Sequence, residues 1–288
     1  MSEVKNIKNE STGLSSLRKA WEVLFPYLLY YLAYSTVYII LAFVQEALLQ
    51  SQGEEYRRLM TRQAATVAGV TGGLSMMLGV LPIIPMFKKE LLWRSSMNSD
   101  DTKQGRGRLI KEILFTGILA FCSSLGLNVL LTLTGFADSS QTYREVADNQ
   151  YGVAFAAGLF LYGLISPLAE EVVFRGVIFN RMRRFYGPVL AIVASGLFFG
   201  AFHGNIVQGV YGGCMGILMA CLYEKNSRFV IPFFFHMVSN LAVYITAYVE
   251  PLQEVLFTVA GCVVLLVAAG CVLWRFCCDY LPCKRGIL

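Results

Sequence analysis

Apolar runs of about 20 residues, the length that crosses a bilayer core as helix, recur eight times along this chain. They cover residues 21–44, 64–87, 110–136, 151–174, 188–203, 206–222, 229–249 and 255–276. Backbone inside lipid must satisfy its own hydrogen bonds, which helices do within one segment. The expected fold is therefore all-α, a polytopic membrane protein of about eight transmembrane helices. Charge content agrees. Only 15% of the residues are Asp, Glu, Lys or Arg, against roughly 25% in soluble domains. Residues 1–20 are polar and lack the apolar core of a secretory signal. They read as a cytoplasmic N-terminal segment, residues 21–276 as one transmembrane domain, and residues 277–288 as a cytoplasmic tail.

The basic residues orient this arrangement. With eight spans and an inside N-terminus, all of the 24 lysines and arginines except Arg57, Arg58, Arg62 and Arg144 fall on the cytoplasmic side. Both termini are then cytoplasmic, and the net charge of +5 is an orientation signal. Nothing in it calls for nucleic acid. The partners implied are the lipid bilayer and a peptide or lipidated protein substrate. The stretch 88–108 reads as the longest polar loop. The eight cysteines form no disulfide framework: five lie in apolar runs, and Cys277, Cys278 and Cys283 sit near the membrane surface. Gly209 with Gly213, and Gly212 with Gly216, have the spacing that lets helix backbones approach closely.

A charged side chain in the bilayer interior costs a few kcal/mol even on lenient scales, so each one needs a reason. They concentrate in one half of the chain. The segment PLAEEVVFRG, residues 167–176, carries Glu170, Glu171 and Arg175. The only two histidines, His203 and His236, both lie in apolar surroundings, and Asn240 follows His236 by one helical turn. Counted outward from the turn at Gly187, Glu170 and His203 reach similar heights in a helical hairpin. Glu171 and Arg175, at i and i+4, have the spacing of an ion pair. One arginine cannot neutralise two carboxylates, which leaves Glu170. A carboxylate and an imidazole can share a water and take its proton, and histidine and asparagine N–H groups can stabilise the oxyanion that forms. Glu170, His203, His236 and Asn240 thus suffice for water-mediated peptide hydrolysis. Glu170, His203 and His236 could also ligate zinc, but that would consume the proposed base and donor, so a metal-free site is the favoured reading.

At these residues the sequence resembles a known family. EEVVFR (170–175) fits its EExxxR motif, FGAFH (199–203) its FxxxH motif, and HMVSN (236–240) its HxxxN motif. The family is the CPBP intramembrane proteases, also called Abi: CAAX prenyl endopeptidases and bacteriocin-processing or immunity proteins. The resemblance covers residues 151–245. It implies an eight-helix fold with a cytoplasm-facing cavity. It also implies that Glu170 and His203 activate water, His236 and Asn240 stabilise the oxyanion, and Glu171, Arg175 and Phe199 support the site. The substrate it implies is a prenylated CaaX tail or a bacteriocin- or signal-peptide-type precursor, cleaved by an enzyme of the bacterial cell membrane. The competing reading is a non-catalytic immunity or partner protein. Other intramembrane protease classes fit poorly. VASG (193–196) lacks the first glycine of GxSG, and neither HExxH nor GxGD occurs.

Overall fold

The computed structural model describes residues 15–97 and 106–280, and among them every regular element is helical. Ser15 starts α1 (Ser16–Ser51) by accepting the Arg18 amide on its side chain. Next come α2 (Glu54–Arg62) and α3 (Ala64–Met97), the latter with a 3-10 turn at Leu81–Ile83. The chain continues through α4 (Arg106–Leu133), α5 (Gln141–Tyr151) and α6 (Phe155–Tyr186). It ends in α7 (Pro188–Phe202), α8 (Ile206–Asn226), α9 (Val230–Thr246), α10 (Glu250–Leu256) and α11 (Val259–Tyr280).

Each of the eight expected runs is mostly helical, the last of them broken at 257–258 between α10 and α11. Among the described residues, six helices are long and apolar enough to cross a membrane. A seventh crossing forms if α9 and α10, bent by 105° at their junction, count as one span. The helix α7, at 15 residues, is shorter than a full crossing. Large apolar side chains point outward, among them Phe43 at 74% exposure and Val264 at 66%. Exposed apolar surface on this scale faces lipid rather than water, and the chain is an integral multi-pass membrane protein.

The stretch at 88–108 departs from the expected loop. As far as Met97 it continues α3, and Glu90, Trp93 and Arg94 are buried. The reason is an ion-pair network that the sequence pattern hides. Glu90 binds Arg181 (3.1 Å) and Arg184, while Glu224 binds Arg94 (2.9 Å) and Arg183 (2.8 Å). Pro26 lacks the amide that would bond the Glu22 carbonyl four residues back, and Arg181 donates to that carbonyl instead. Four helices, α1, α3, α6 and α8, are tied at this arginine-rich end. Residues 1–14, 98–105 and 281–288 lie outside the described residues. With them lie Lys5, Lys8 and Lys103, most of both terminal segments, and Cys283.

The hairpin α7–α8 is a close crossing of two backbones. A Cβ on Gly200 would stand 2.3 Å from the Gly209 carbonyl oxygen and 2.7 Å from the Gly213 nitrogen. Both are backbone atoms, which cannot swing aside. Gly200→Ala is therefore expected to lower thermal stability by about 2 kcal/mol or more, overpacking outweighing helix propensity. Gly72→Ala, where nothing lies within 4 Å of the added Cβ, should leave it unchanged or raise it. A thermal melt of both variants in detergent checks the pair.

Candidate active site

The site is built on α6, which is not a plain α-helix. Two π-helical turns, Leu161–Ile165 and Phe174–Phe179, flank the α-helical stretch Ser166–Val173 that carries Glu170 and Glu171. Such turns are frequent at functional sites because they re-aim side chains and free backbone groups. The first turn does so at Tyr162. The Ser166 amide bonds the Leu161 carbonyl five residues back. The residue five after Tyr162 is Pro167, which has no amide hydrogen. The Tyr162 carbonyl is thereby left for a side chain, and Asn240 Nδ2 donates to it at 3.0 Å.

The two glutamates do different work because adjacent helical residues point about 100° apart. Glu171 points into protein and is fully buried. Its Oε1 accepts from Arg175 Nη1 at 2.9 Å and from His236 Nδ1 at 3.0 Å. The expected ion pair is thus present, and it also clamps an imidazole. Arg175 is fully buried too. It donates through Nη2 to the Gly216 carbonyl at 3.0 Å and lies 4.5 Å over the Phe199 ring. Phe199 in turn meets both imidazoles edge-on, His203 at 5.0 Å and His236 at 5.5 Å between ring centroids.

Glu170 points into a cavity of about 240 Å³. Its Oε1 accepts from Ser166 Oγ at 2.5 Å, and its Oε2 lies 3.8 Å from His236 Nε2. His236 therefore spans the two carboxylates. Because a carboxylate can only accept from it, His236 Nδ1 carries the proton and Nε2 offers a lone pair in the neutral ring. His203 Nδ1 is 2.9 Å from the Phe199 carbonyl, so the same reasoning leaves His203 Nε2 as its reactive nitrogen.

Glu170, His203, His236 and Asn240, the four expected catalytic residues, all line this one cavity with Phe199, while Glu171 and Arg175 stand behind it. The imidazole that faces Glu170 is His236, the residue that the resemblance assigns to the oxyanion. Ser166, Tyr162 and Gly216 were not among the expected residues. Ser166 had a legible signal, since it lies one turn before Glu170. Ser239 is a further addition. It lines the cavity with a buried hydroxyl that has no protein partner.

The direction of the cavity corrects an expectation. Its wall includes Tyr143, Val146 and Gln150 of α5, the ends of α4 and α9, and the start of α8. Among the described residues, none of the lining comes from the arginine-rich end at Glu90, Arg94 and Arg181–Arg184. The cavity thus runs from mid-bundle towards α5, away from the face that the charge pattern assigns to the cytoplasm. The pocket was expected to open on that arginine-rich face. The height estimate placed the groups together correctly, but the helix ends, not their heights, decide where the space lies.

For zinc, among the described residues no three His, Cys, Asp or Glu side chains gather closely enough to hold a metal ion. His236 Nδ1 is already engaged by Glu171.

Residues 152–242 match the family model described as type II CAAX prenyl endopeptidase Rce1-like. The chain is 28% identical over 151 residues to the putative membrane peptidase YdiL of Bacillus subtilis (strain 168), covering 46% of this chain and 62% of that protein. It is 32% identical over 100 residues to the membrane-embedded CAAX protease MroQ of Staphylococcus aureus (strain USA300), covering 32% of this chain and 40% of that protein. The chain thus spans less than two thirds of the length of either relative. No solved structure matches it. The matched segment contains all three motifs and the cavity residues from Tyr162 to Asn240, and over it the chain is similar to type II CAAX prenyl endopeptidases of the Rce1-like family.

Proposed function

We propose that the protein is an intramembrane endopeptidase in which Glu170 activates a water to hydrolyse a peptide bond. One observation carries this reading. Glu170 Oε2 and His236 Nε2 face each other across 3.8 Å at a cavity wall, with His236 held from behind by Glu171. A water beside that gap can donate one hydrogen to each, at ordinary hydrogen-bond lengths of about 2.8 Å. Its lone pair is then directed away from both, towards a substrate carbonyl.

In the reaction, the water oxygen attacks the carbonyl carbon and its proton passes to Glu170. The oxyanion accepts from the second amide hydrogen of Asn240, with His203 on the same cavity wall. Collapse of the intermediate breaks the C–N bond, and Glu170 returns the proton to the leaving nitrogen. A bare carboxylate is a competent base here because the cavity replaces bulk water with fixed partners. Arg175 and Glu171 neutralise each other, so they add no net charge to the site.

The substrates that fit the family are a prenylated CaaX tail and a bacteriocin- or signal-peptide-type precursor. Both belong in the first assay. The full chain in detergent would be incubated with a panel of each, followed by mass spectrometry, with and without a chelator. Cleavage that survives the chelator and is lost in Glu170→Ala is the expected result. Cleavage abolished by chelator and restored by zinc would overturn the metal-free mechanism. Failure to cut any member of the panel, with Glu170→Ala indistinguishable from wild type, would favour a non-catalytic immunity or partner role.

A further inference from the structure

The cavity that holds Glu170 is shut at one end and exposed at the other. Its floor is formed by Met219 of α8 and Phe235 of α9, 1% and 0% exposed. The next turns below the floor are buried too: Phe174 and Val177 on α6, Leu222 and Tyr223 on α8, and Ile231 on α9. Beyond them comes the arginine-rich end, where Glu90 holds Arg181 and Glu224 holds Arg94. At the opposite end Tyr143 and Gln150 of α5 are partly exposed, and Thr132, in the last turn of α4, is exposed. We propose, on the peptidase reading above, that the substrate enters at this mouth from the extracytoplasmic side of the membrane, as an uncharged stretch of an exported or outward-looping precursor.

The side follows from connectivity and charge. Helix α1 leaves the arginine-rich end at Glu22, and α3 returns to it at Glu90. The helix between them, α2, therefore lies at the far end. In the same way α4 starts near Arg228, which Glu112 approaches at 3.7 Å, and α6 ends at Arg181 to Arg184. That places α5 at the far end as well. Arg57, Arg58 and Arg62 on α2 and Arg144 on α5 are the four basic residues that the sequence sets apart from all others. Spans keep their basic-rich ends in the cytoplasm, so the mouth beside Thr132 and α5 faces outward.

The wall also describes the segment that fits. Among the described lining residues Glu170 carries the only carboxylate, and there is no lysine or arginine. Towards the mouth the polar groups are neutral: Asn128 and Thr132 of α4, Tyr143 and Gln150 of α5, and Gln208 of α8. Such amides and hydroxyls both donate and accept, which suits a peptide backbone. A free C-terminal carboxylate close to the cut would meet the like charge of Glu170 and no cation to offset its lost hydration. A cytoplasmic tail cut near its end is thus disfavoured twice, by the side of the mouth and by charge. An internal stretch of an outward-facing chain meets both conditions.

Two readouts on the full chain test this. In the first, intact bacterial cells are treated with a membrane-impermeant maleimide. They carry Thr132→Cys at the mouth or Lys88→Cys, exposed towards the other end, and wild type gives the background of its own eight cysteines. Thr132→Cys is expected to label in intact cells, and Lys88→Cys only after permeabilisation. Gln150→Cys repeats the test from α5 if Thr132→Cys fails to fold. In the second, a soluble leader-type peptide that the detergent-solubilised protein cuts is added to right-side-out and to inverted membrane vesicles. Cleavage by right-side-out vesicles alone is expected. In detergent, the same peptide ended shortly after the cut should be a several-fold poorer substrate as the free acid than as the amide. Absence of labelling at both mouth positions in intact cells would overturn the proposal. So would cleavage by inverted vesicles, or a free acid cut as well as the amide. If the protein in detergent cuts no peptide at all, the peptidase reading falls and this substrate class with it. Cleavage in detergent together with cleavage from the cytoplasmic side overturns the substrate class alone.

Discussion

Glu170→Gln is expected to reduce the turnover of peptide cleavage by about 10³-fold, the middle of the range for removing a general base, while leaving the melting temperature unchanged or slightly higher. Glutamine keeps the shape of the side chain, and its carbonyl oxygen can still accept from Ser166 Oγ, as Glu170 Oε1 does at 2.5 Å. What it loses is the capacity to take a proton from water and return it to the leaving nitrogen. Stability should not suffer. Glu170 is only 6% exposed and has no cation of its own, because Arg175 is spent on Glu171. Removing such a charge relieves desolvation. Ser166→Ala gives a graded companion. It leaves the base in place but frees its orientation, and a loss of about 10-fold is expected from one hydrogen bond to a charged group. Steady-state kinetics should show both changes in kcat more than in KM, since neither group is asked to bind the substrate. Retention of more than a tenth of wild-type turnover by Glu170→Gln would place the base elsewhere, with His203 and His236 the remaining candidates on the cavity wall.

The fold was legible because its signal is long. A run such as 110–136 declares a span whatever surrounds it, and among the described residues six of the helices, or seven with the bent pair, are long and apolar enough to be spans. The ends were less legible. The polar stretch after Phe87 reads as loop by composition, yet Glu90 and Arg94 are buried in ion pairs with residues more than ninety positions away. Charge periodicity alone cannot reveal a partner so distant in sequence. The same blindness applies to Arg181, Arg183 and Arg184. The pattern reads them as an orientation signal, whereas the structure makes them a clamp across four helices. At the site, the residues were legible because ionisable groups in lipid are few. Their relations were not. That His236 is clamped by Glu171, or that Asn240 is drawn to the Tyr162 carbonyl, depends on two π turns and the missing amide of Pro167. Only the proline is visible in the sequence. The direction of the cavity was misjudged for a related reason: α5 lies in a short polar connection, and nothing in its sequence says that it packs over the space between spans.

Arg175→Met is expected to be the most destabilising single change near the site, by about 3–5 kcal/mol, because it leaves the Glu171 carboxylate buried without its cation. At roughly 2–4 °C per kcal/mol for a chain of this size, the melting temperature should fall by about 10 °C or more. Arg175→Lys should rescue it poorly. The guanidinium bonds Glu171 and the Gly216 carbonyl through separate nitrogens while its plane lies over Phe199, and a single ammonium cannot hold three positions. The double variant Glu171→Leu, Arg175→Met separates the two tasks of this pair. Replacing a buried ion pair by apolar groups of similar volume is often close to neutral, so most of the lost stability should return. Cleavage should not return with it. Without Glu171, His236 Nδ1 has no acceptor to fix its tautomer, and Nε2 is no longer held towards the water at Glu170. A turnover at least 10²-fold below wild type is expected in a protein that melts near the wild-type temperature. That combination would show that the second glutamate of the motif positions the catalytic imidazole as well as closing a salt bridge. If the double variant regained activity together with stability, the clamp on His236 would be structural only, and the 3.0 Å contact would have no part in the chemistry.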